Sequence, residues 1–339
     1  MGMRSDVRRW FDTRTSTSAQ WDRWRLSALK GRTRVSVVLP ARNEAATVGA
    51  IVSALRFELM QQVPLIDELV VIDSGSGDET ARCAAAAGAR VVAQREVLPA
   101  LGDVPGKGEA LWKSLAATRG DVVAFIDADL RSFDSQFAVS LLGPLLCDDT
   151  VRFVKAFYDR PLSSGATVLP AGGGRVTELV ARPLLNLHWP QLAGFVQPLA
   201  GEYAARRDLL EQVPFVSGYG VEIAMLIDVL EREGLQAMAQ VDLGRREHRN
   251  SSDAALGRMA AQVQLAALSR LDRYNKALFT VEPGTLLTQY VREDGAFLPS
   301  TSDIGISERP PMAQVAQYRH RLARPTIQAV SDELAGERV

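Results

Sequence analysis

Asp127 and Asp129 are the residues of this chain whose types and spacing point most directly to chemistry. They close the stretch Gly120-Asp121-Val122-Val123-Ala124-Phe125-Ile126-Asp127-Ala128-Asp129. The apolar run from Val122 to Ile126 predicts a buried central strand. Strand side chains alternate, so two carboxylates two residues apart point the same way if the extended backbone continues past the strand end. Such a pair repels itself unless a cation sits between it and a ligand. Hard cations such as Mg²⁺ take oxygen ligands and keep part of their shell for substrate phosphates. The pattern predicts a metal–diphosphate site at the carboxyl edge of an open α/β sheet, where such folds bind ligands. A solvated acidic turn is the plain alternative.

Other polar loops fall where they would join that edge. Pro40-Ala41-Arg42-Asn43-Glu44 follows a predicted first strand, Val35 to Leu39, and Asp73-Ser74-Gly75-Ser76-Gly77-Asp78 follows a second, Asp67 to Asp73. Asp73 at a strand end is placed to accept hydrogen bonds from a base or from ribose hydroxyls. Gly106-Lys107-Gly108 allows the backbone to approach a ligand, with Lys107 as a point charge for phosphate. It is not a Walker A loop, since the spacing and the Lys-Ser/Thr pair are missing. Nor does the first turn carry the glycines of a dinucleotide fingerprint.

The elements that must position these loops alternate regularly. A helix is predicted from about Ala45 to Met60, an Ala-rich helix capped by Asp78 runs through Ala87, and Gly88 ends it. Ala89 to Ala93 reads as a third strand, and Glu109 to Thr118 as a helix leading to the central strand. Strand and helix alternating in this way predict a parallel sheet covered on both faces. The second half is less regular. Strands are predicted at Val151 to Phe157 and Leu235 to Leu243. Helices are predicted at Val176 to Leu187, Val221 to Glu233 and Ala254 to Asn275. Beyond Ala296 a Pro-containing tail reads as a surface wrap or an oligomer contact. Residues 1–33 read as an arm that Trp10, Phe11, Trp21 and Trp24 could fasten to the body or to a partner.

Composition narrows the class. The 339 residues are 47% apolar and 23% charged, and the formal net charge is -1. This is ordinary for a globular protein and gives no bulk attraction to nucleic acid or anionic membrane. Cys83 and Cys147 match no metal or redox spacing and read as buried, reduced thiols of a cytoplasmic protein. The first ten residues carry Arg without an apolar core, so no signal peptide is expected, and no apolar run reaches the length of a membrane span.

The sequence also resembles a family. Val38 to Glu44, Ile72 to Thr80 and Phe125 to Asp129 are similar to the three signatures of GT-A glycosyltransferases. Pro105-Gly106-Lys107-Gly108-Glu109-Ala110-Leu111-Trp112 is a more specific match. So are Gly172 to Pro183, Gly218-Tyr219-Gly220-Val221-Glu222-Ile223 and His248-Arg249-Asn250. This set resembles the glucosyl-3-phosphoglycerate synthases and their relatives, the mannosyl-3-phosphoglycerate synthases, over roughly residues 34 to 270.

The resemblance implies a GT-A fold with a mainly parallel open sheet: an arm at 1–33, a Rossmann-like nucleotide-sugar half at 34–150, an acceptor half at 151–275, and a C-terminal extension at 276–339. It implies retaining transfer of glucose from a nucleoside diphosphate glucose, UDP-glucose first, to the 2-hydroxyl of 3-phosphoglycerate. Mg²⁺ or Mn²⁺ would be held by Asp129 and His248. Pro40, Ala41, Glu44, Asp73, Ser74, Lys107, Asp127 and Ala128 would line the donor, and Tyr219 and Glu222 would face the sugar. Gly174, Arg175, Val176, Thr177, Arg246 and Asn250 would bind the acceptor, whose phosphate suits a guanidinium fork and a helix start. Asp129, Glu222 and Lys107 would carry catalysis. His188 and His320 are left as structural. The family, and the apolar residues of the final segments, imply a homodimer. GDP-mannose, a dual donor specificity, or a GT-A domain that binds nucleotide sugar without turnover stay open.

Overall fold

The computed structural model describes residues 2–159, 162–164, 167–169, 174–245 and 252–323. Its first strands follow the predicted alternation. After α1 (Ser5–Arg14), β1 (Thr15–Thr17) and α2 (Arg23–Lys30) come β2 (Val35–Ala41), α3 (Val48–Arg56), β3 (Glu68–Asp73), α4 (Thr80–Ala86), β4 (Arg90–Ala93), α5 (Lys107–Ala117) and β5 (Val122–Phe125). Strands β5, β2, β3 and β4 lie side by side and parallel, with Val38 facing Phe125 on one side and Val70 on the other. Every residue of β5 is buried, as its β-branched and aromatic run requires. The helix after β2 ends in a π turn over Phe57–Gln62, so the predicted helical stretch is one irregular piece rather than a single α-helix.

The second half extends the same sheet. α6 (Gln136–Cys147) leads to β6 (Phe153–Asp159) and to a small hairpin, β7 (Leu162–Ser164) with β8 (Thr167–Leu169). A π turn over Thr177–Ala181 runs into α7 (Arg182–His188), and β9 (Tyr203–Arg206) follows. Strand β9 inserts antiparallel between β5 and β6. Sequence reading gave no strand there, because four residues with two alanines carry little β signal. After α8 (Arg207–Leu210) and β10 (Phe215–Val216) come α9 (Val221–Glu233), β11 (Met238–Arg245) and α10 (Asp253–Arg273). The complete sheet has eight strands in the order β1-β11-β6-β9-β5-β2-β3-β4.

The first thirty residues are built into this body. β1 pairs with β11, and the buried Trp10 donates its indole N–H to the Met238 carbonyl at 2.8 Å. Trp21 packs on Gly143, where a methyl group would run into its ring, whereas Trp24 is exposed. The thiols differ from expectation. Cys83 is half-buried and Cys147 is exposed, because it is the last residue of α6, where that helix leaves the core.

The chain ends in a hairpin, β12 (Leu286–Glu293) with β13 (Ala296–Asp303), then β14 (Glu308–Arg309) and α11 (Ala316–Ala323). β14 pairs antiparallel with β10, and Ser217 and Ser307 exchange bonds beside it, so the tail wraps onto the body as the sequence suggested.

Candidate active site

Three predicted loops meet at the carboxyl ends of β2, β3 and β5. The loop after β2 is tied to the loop after β3. The Asn43 amide oxygen accepts from Gly77 N–H at 2.8 Å, Glu44 N–H donates to Thr80 Oγ1 at 2.7 Å, and Ala45 N–H donates to Asp78. Asn43 itself adopts a positive φ of 60°, which its short polar side chain tolerates. Thr47 then reaches across to donate to the carbonyl of Ala128 at 2.6 Å, fastening the β5 loop. Asp73 engages its carboxylate with Ser76 N–H and Oγ, which shapes its own turn, and Ser74 Oγ donates to Gln94. Pro40 and Ala41 remain in the β2 ladder, opposite Ile72 and Asp73.

Lys107, the first residue of α5, stands at the centre. Its ammonium lies 2.5 Å from Asp127 Oδ1, 3.0 Å from Glu222 Oε1 and 3.4 Å from the Gly201 carbonyl. Burial alone would push this ammonium down, but Asp127 and Glu222 carry it well above the usual lysine value. It is therefore a fixed positive charge joining the β5 loop to the first turn of α9. The approach depends on glycine: a methyl on Gly201 would run into both the Asp127 carboxylate and the Lys107 ammonium, and one on Gly106 would run into the backbone of Gly218.

Glu222 is nearly buried, three residues beyond the exposed Tyr219. Tyr219 N–H donates to Gln262 of α10 at 3.0 Å. α10 also carries Asp253, whose carboxylate accepts from Arg175 at 2.6 Å. One helix thus backs both the Gly218-Tyr219-Gly220 turn and the Gly174-Arg175 segment. Gly174 adopts φ 81°, Arg175 is exposed, and Val176 and Thr177 are buried at the start of the π turn. Arg246, His248 and Asn250, with Gly172 and Gly173, lie outside the described residues.

Asp129 offers a carboxylate, the oxygen ligand that a hard cation takes. That residue is exposed at the same edge, and Asp127 is paired with Lys107. Among the described residues no three His, Cys, Asp or Glu side chains gather to hold a metal. A cation here would draw its remaining oxygens from substrate phosphates and water.

A model of glycosyl transferase family 2 matches residues 36–139, the half that carries β2 to β5. The glucosyl-3-phosphoglycerate synthase of Mycolicibacterium smegmatis is 47% identical over 304 residues, spanning 90% of this chain and 97% of that protein. The chain belongs to the glucosyl-3-phosphoglycerate synthase family. Its fold is also that of the mannosyl-3-phosphoglycerate synthase from Rubrobacter xylanophilus, with a TM-score of 0.84, 42% identity, and coverage of 91% and 99% of the two chains. The glucosyl-3-phosphoglycerate synthase of Mycobacterium tuberculosis, solved with Mn²⁺, UDP-glucose and phosphoglyceric acid, superposes with a TM-score of 0.76 at 44% identity, covering 90% of this chain and 96% of that one.

As a glycosyltransferase of this family, the chain holds charged groups at its centre that motif reading passed over. Lys155 on β6, together with Glu202 and Tyr203 at β9, faces the Lys107–Glu222 pair from the sheet. One signal was present in the sequence: Lys155 is the single charge inside the apolar run Phe153-Val154-Lys155-Ala156-Phe157.

Proposed function

We propose that this protein transfers glucose from UDP-glucose to the 2-hydroxyl of 3-phosphoglycerate with retention at the anomeric carbon, using Mg²⁺ or Mn²⁺. The observation that carries this reading is the Lys107 bridge. One ammonium touches both the carboxylate of the β5 loop and that of α9, so the donor edge and the helix that faces the sugar meet at one charge.

In this reading the donor's nucleotide lies along Pro40, Ala41, Glu44, Asp73, Ser74 and Ala128, with Asp127 toward the ribose and diphosphate. Lys107 turns its charge to the diphosphate, and Asp129 with His248 holds the cation. The cation supplies Lewis-acid stabilisation of the departing phosphate. Tyr219 and Glu222 orient the sugar. Arg175, with Gly174, Val176 and Thr177, receives the acceptor phosphate, and Arg246 and Asn250 join them. Front-face attack lets the leaving phosphate oxygen accept the proton of the acceptor hydroxyl. The protein then acts by orienting two anions and stabilising charge.

Two free thiols suit a reducing cytoplasm. Among the described residues no helix is long and apolar enough to cross a membrane. We assign a homodimer to the exposed hairpin β12–β13, whose Leu286, Tyr290 and Phe297 are each more than three-fifths exposed.

The test is a turnover panel of UDP-glucose, GDP-glucose and GDP-mannose, each with and without 3-phosphoglycerate, following nucleoside diphosphate release. Release that depends on phosphoglycerate and is fastest with UDP-glucose is expected. The likeness to the Rubrobacter enzyme supports one second reading, mannosyl transfer, which fastest release from GDP-mannose would establish. Binding without turnover would leave a nucleotide-sugar-binding domain.

A further inference from the structure

Beneath the Lys107 bridge the sheet carries a second lysine that the reading above does not use. Lys155 lies in β6 between Tyr203 of β9 and Gln240 of β11. It is 0% exposed, and its Nζ sits 4.8 Å from the centroid of the Tyr203 ring. Neither Lys155 Nζ nor the buried Tyr203 hydroxyl has a hydrogen-bond partner among the described residues. A buried amino group without such a partner is costly, so its place beside the site calls for an account.

The charges that face it come from every side. Glu222 stands on α9, Lys107 on α5, Asp127 after β5, Glu202 just before β9 and the Tyr203 phenol on β9. Tyr158, on the same strand as Lys155, donates to Glu202 at 3.0 Å. Gln240 is uncharged and bonded to Thr15, Gly194 and Val196. Lys107 makes the close contacts with Asp127 and Glu222. Burial first, and repulsion from Lys107, bring Lys155 down to about 7, against the pull of Glu222, Glu202 and Asp127.

This balance changes once a diphosphate competes for Lys107. Glu222 would then be left nearly buried without its close cation, and the repulsion on Lys155 would fall. We propose that Lys155 is a positioning residue, the reserve counter-cation of Glu222, which takes a proton from solvent when donor diphosphate draws Lys107 away. The proton binds the amine lone pair, so up to one N–H bond forms for each donor bound, and the proton returns to solvent when the site empties. The protonated side chain then holds the Glu222 carboxylate in place under the sugar. The inference rests on the reading that Lys107 meets the donor phosphates.

Calorimetric titration of the Mg²⁺-loaded enzyme with UDP-glucose, in PIPES and in Tris at about pH 7.5, measures the proton count from the difference in apparent enthalpy. Proton uptake is expected in the wild type and its loss in Lys155→Met, with Lys155→Gln as a second variant should the first not fold. kcat should fall by about tenfold in both, with a smaller change in the KM of either substrate. Uptake equal to wild type in the folded Lys155 variant overturns the proposal. Lys107→Met separates the two ideas. Weakened donor binding there keeps the Lys107 reading, so unchanged uptake in the Lys155 variants would then overturn the reserve role alone. Wild-type donor affinity in Lys107→Met removes the Lys107 reading and the proposal with it.

Discussion

Arg309 holds both carboxylate oxygens of Glu109, at 2.6 and 2.7 Å, from two hundred positions further along the chain. Glu109 lies two residues beyond Lys107 on α5, and Arg309 belongs to β14, which pairs with the strand just before Gly218. The C-terminal segment therefore clamps the elements that carry Lys107 and Tyr219. The indole of Trp112 donates to the Pro310 carbonyl at 2.8 Å and adds to the clamp.

Arg309→Met would leave the buried Glu109 with Lys113, at 3.3 Å, as its remaining ion-pair partner. Removing one member of a buried pair leaves a charge uncompensated. The expected loss is about 2–4 kcal/mol, held down by the Lys113 contact. Urea unfolding measures it, and an unchanged midpoint would show that the pair does not hold the segment.

The Lys107 bridge and Asp129 separate in kinetics. Lys107→Met removes the charge we propose for the departing diphosphate, and kcat should fall about 10²–10³-fold. Asp129→Ala should abolish turnover at saturating donor. A titration of activity against Mg²⁺ and Mn²⁺ checks the second case. Near-normal rates with the metal removed would take Asp129 out of the metal site.

Much of this site is legible in the sequence because the first half obeys local rules. Apolar runs ending in Pro40, Asp73 and Asp127 mark strand ends, and parallel strands bring their ends to one edge. Strand β9 was not legible, since Tyr203-Ala204-Ala205-Arg206 gains its strand form from β5 and β6 on either side rather than from propensity. The role of Lys155 was hidden for a related reason: a lone lysine in an apolar run does not tell which charges face it until helices α5 and α9 are packed over the sheet.

Arg175 is an exposed residue whose carboxylate partner, Asp253, is 89% exposed. An ion pair in water contributes about 0–1 kcal/mol, so the arginine is held loosely enough to exchange Asp253 for a phosphate. Arg175→Ala should raise the KM for 3-phosphoglycerate by more than about tenfold, with the donor KM moving far less and stability within about 0.5 kcal/mol of wild type. Equal effects on both substrates would remove Arg175 from the acceptor site.

The hairpin β12–β13 gives a test of assembly. Tyr290 and Phe297 are 69% and 65% exposed, on a two-stranded element that no third strand completes among the described residues. Tyr290→Glu with Phe297→Glu should convert a dimer to a monomer at micromolar concentration, read as mass by light scattering. A wild-type monomer would refute the assignment.

The buried Lys155 predicts a stability profile of definite sign. Its native value, about 7, lies below the 10.5 of an ordinary lysine. Below about pH 7 both native and unfolded chains hold the proton, and the cost of the buried charge is fully present. Between those two values the unfolded chain holds more protons, so the cost is relieved and stability rises with pH, by about 1.4 kcal/mol per unit for one proton. Lys155→Met has no such charge. It should be more stable than wild type at about pH 6, by roughly 2–4 kcal/mol, and the gap should close as pH rises through 7 toward 10. Urea midpoints at three pH values measure the gap. A gap independent of pH would mean that Lys155 does not titrate differently in the native and unfolded chains.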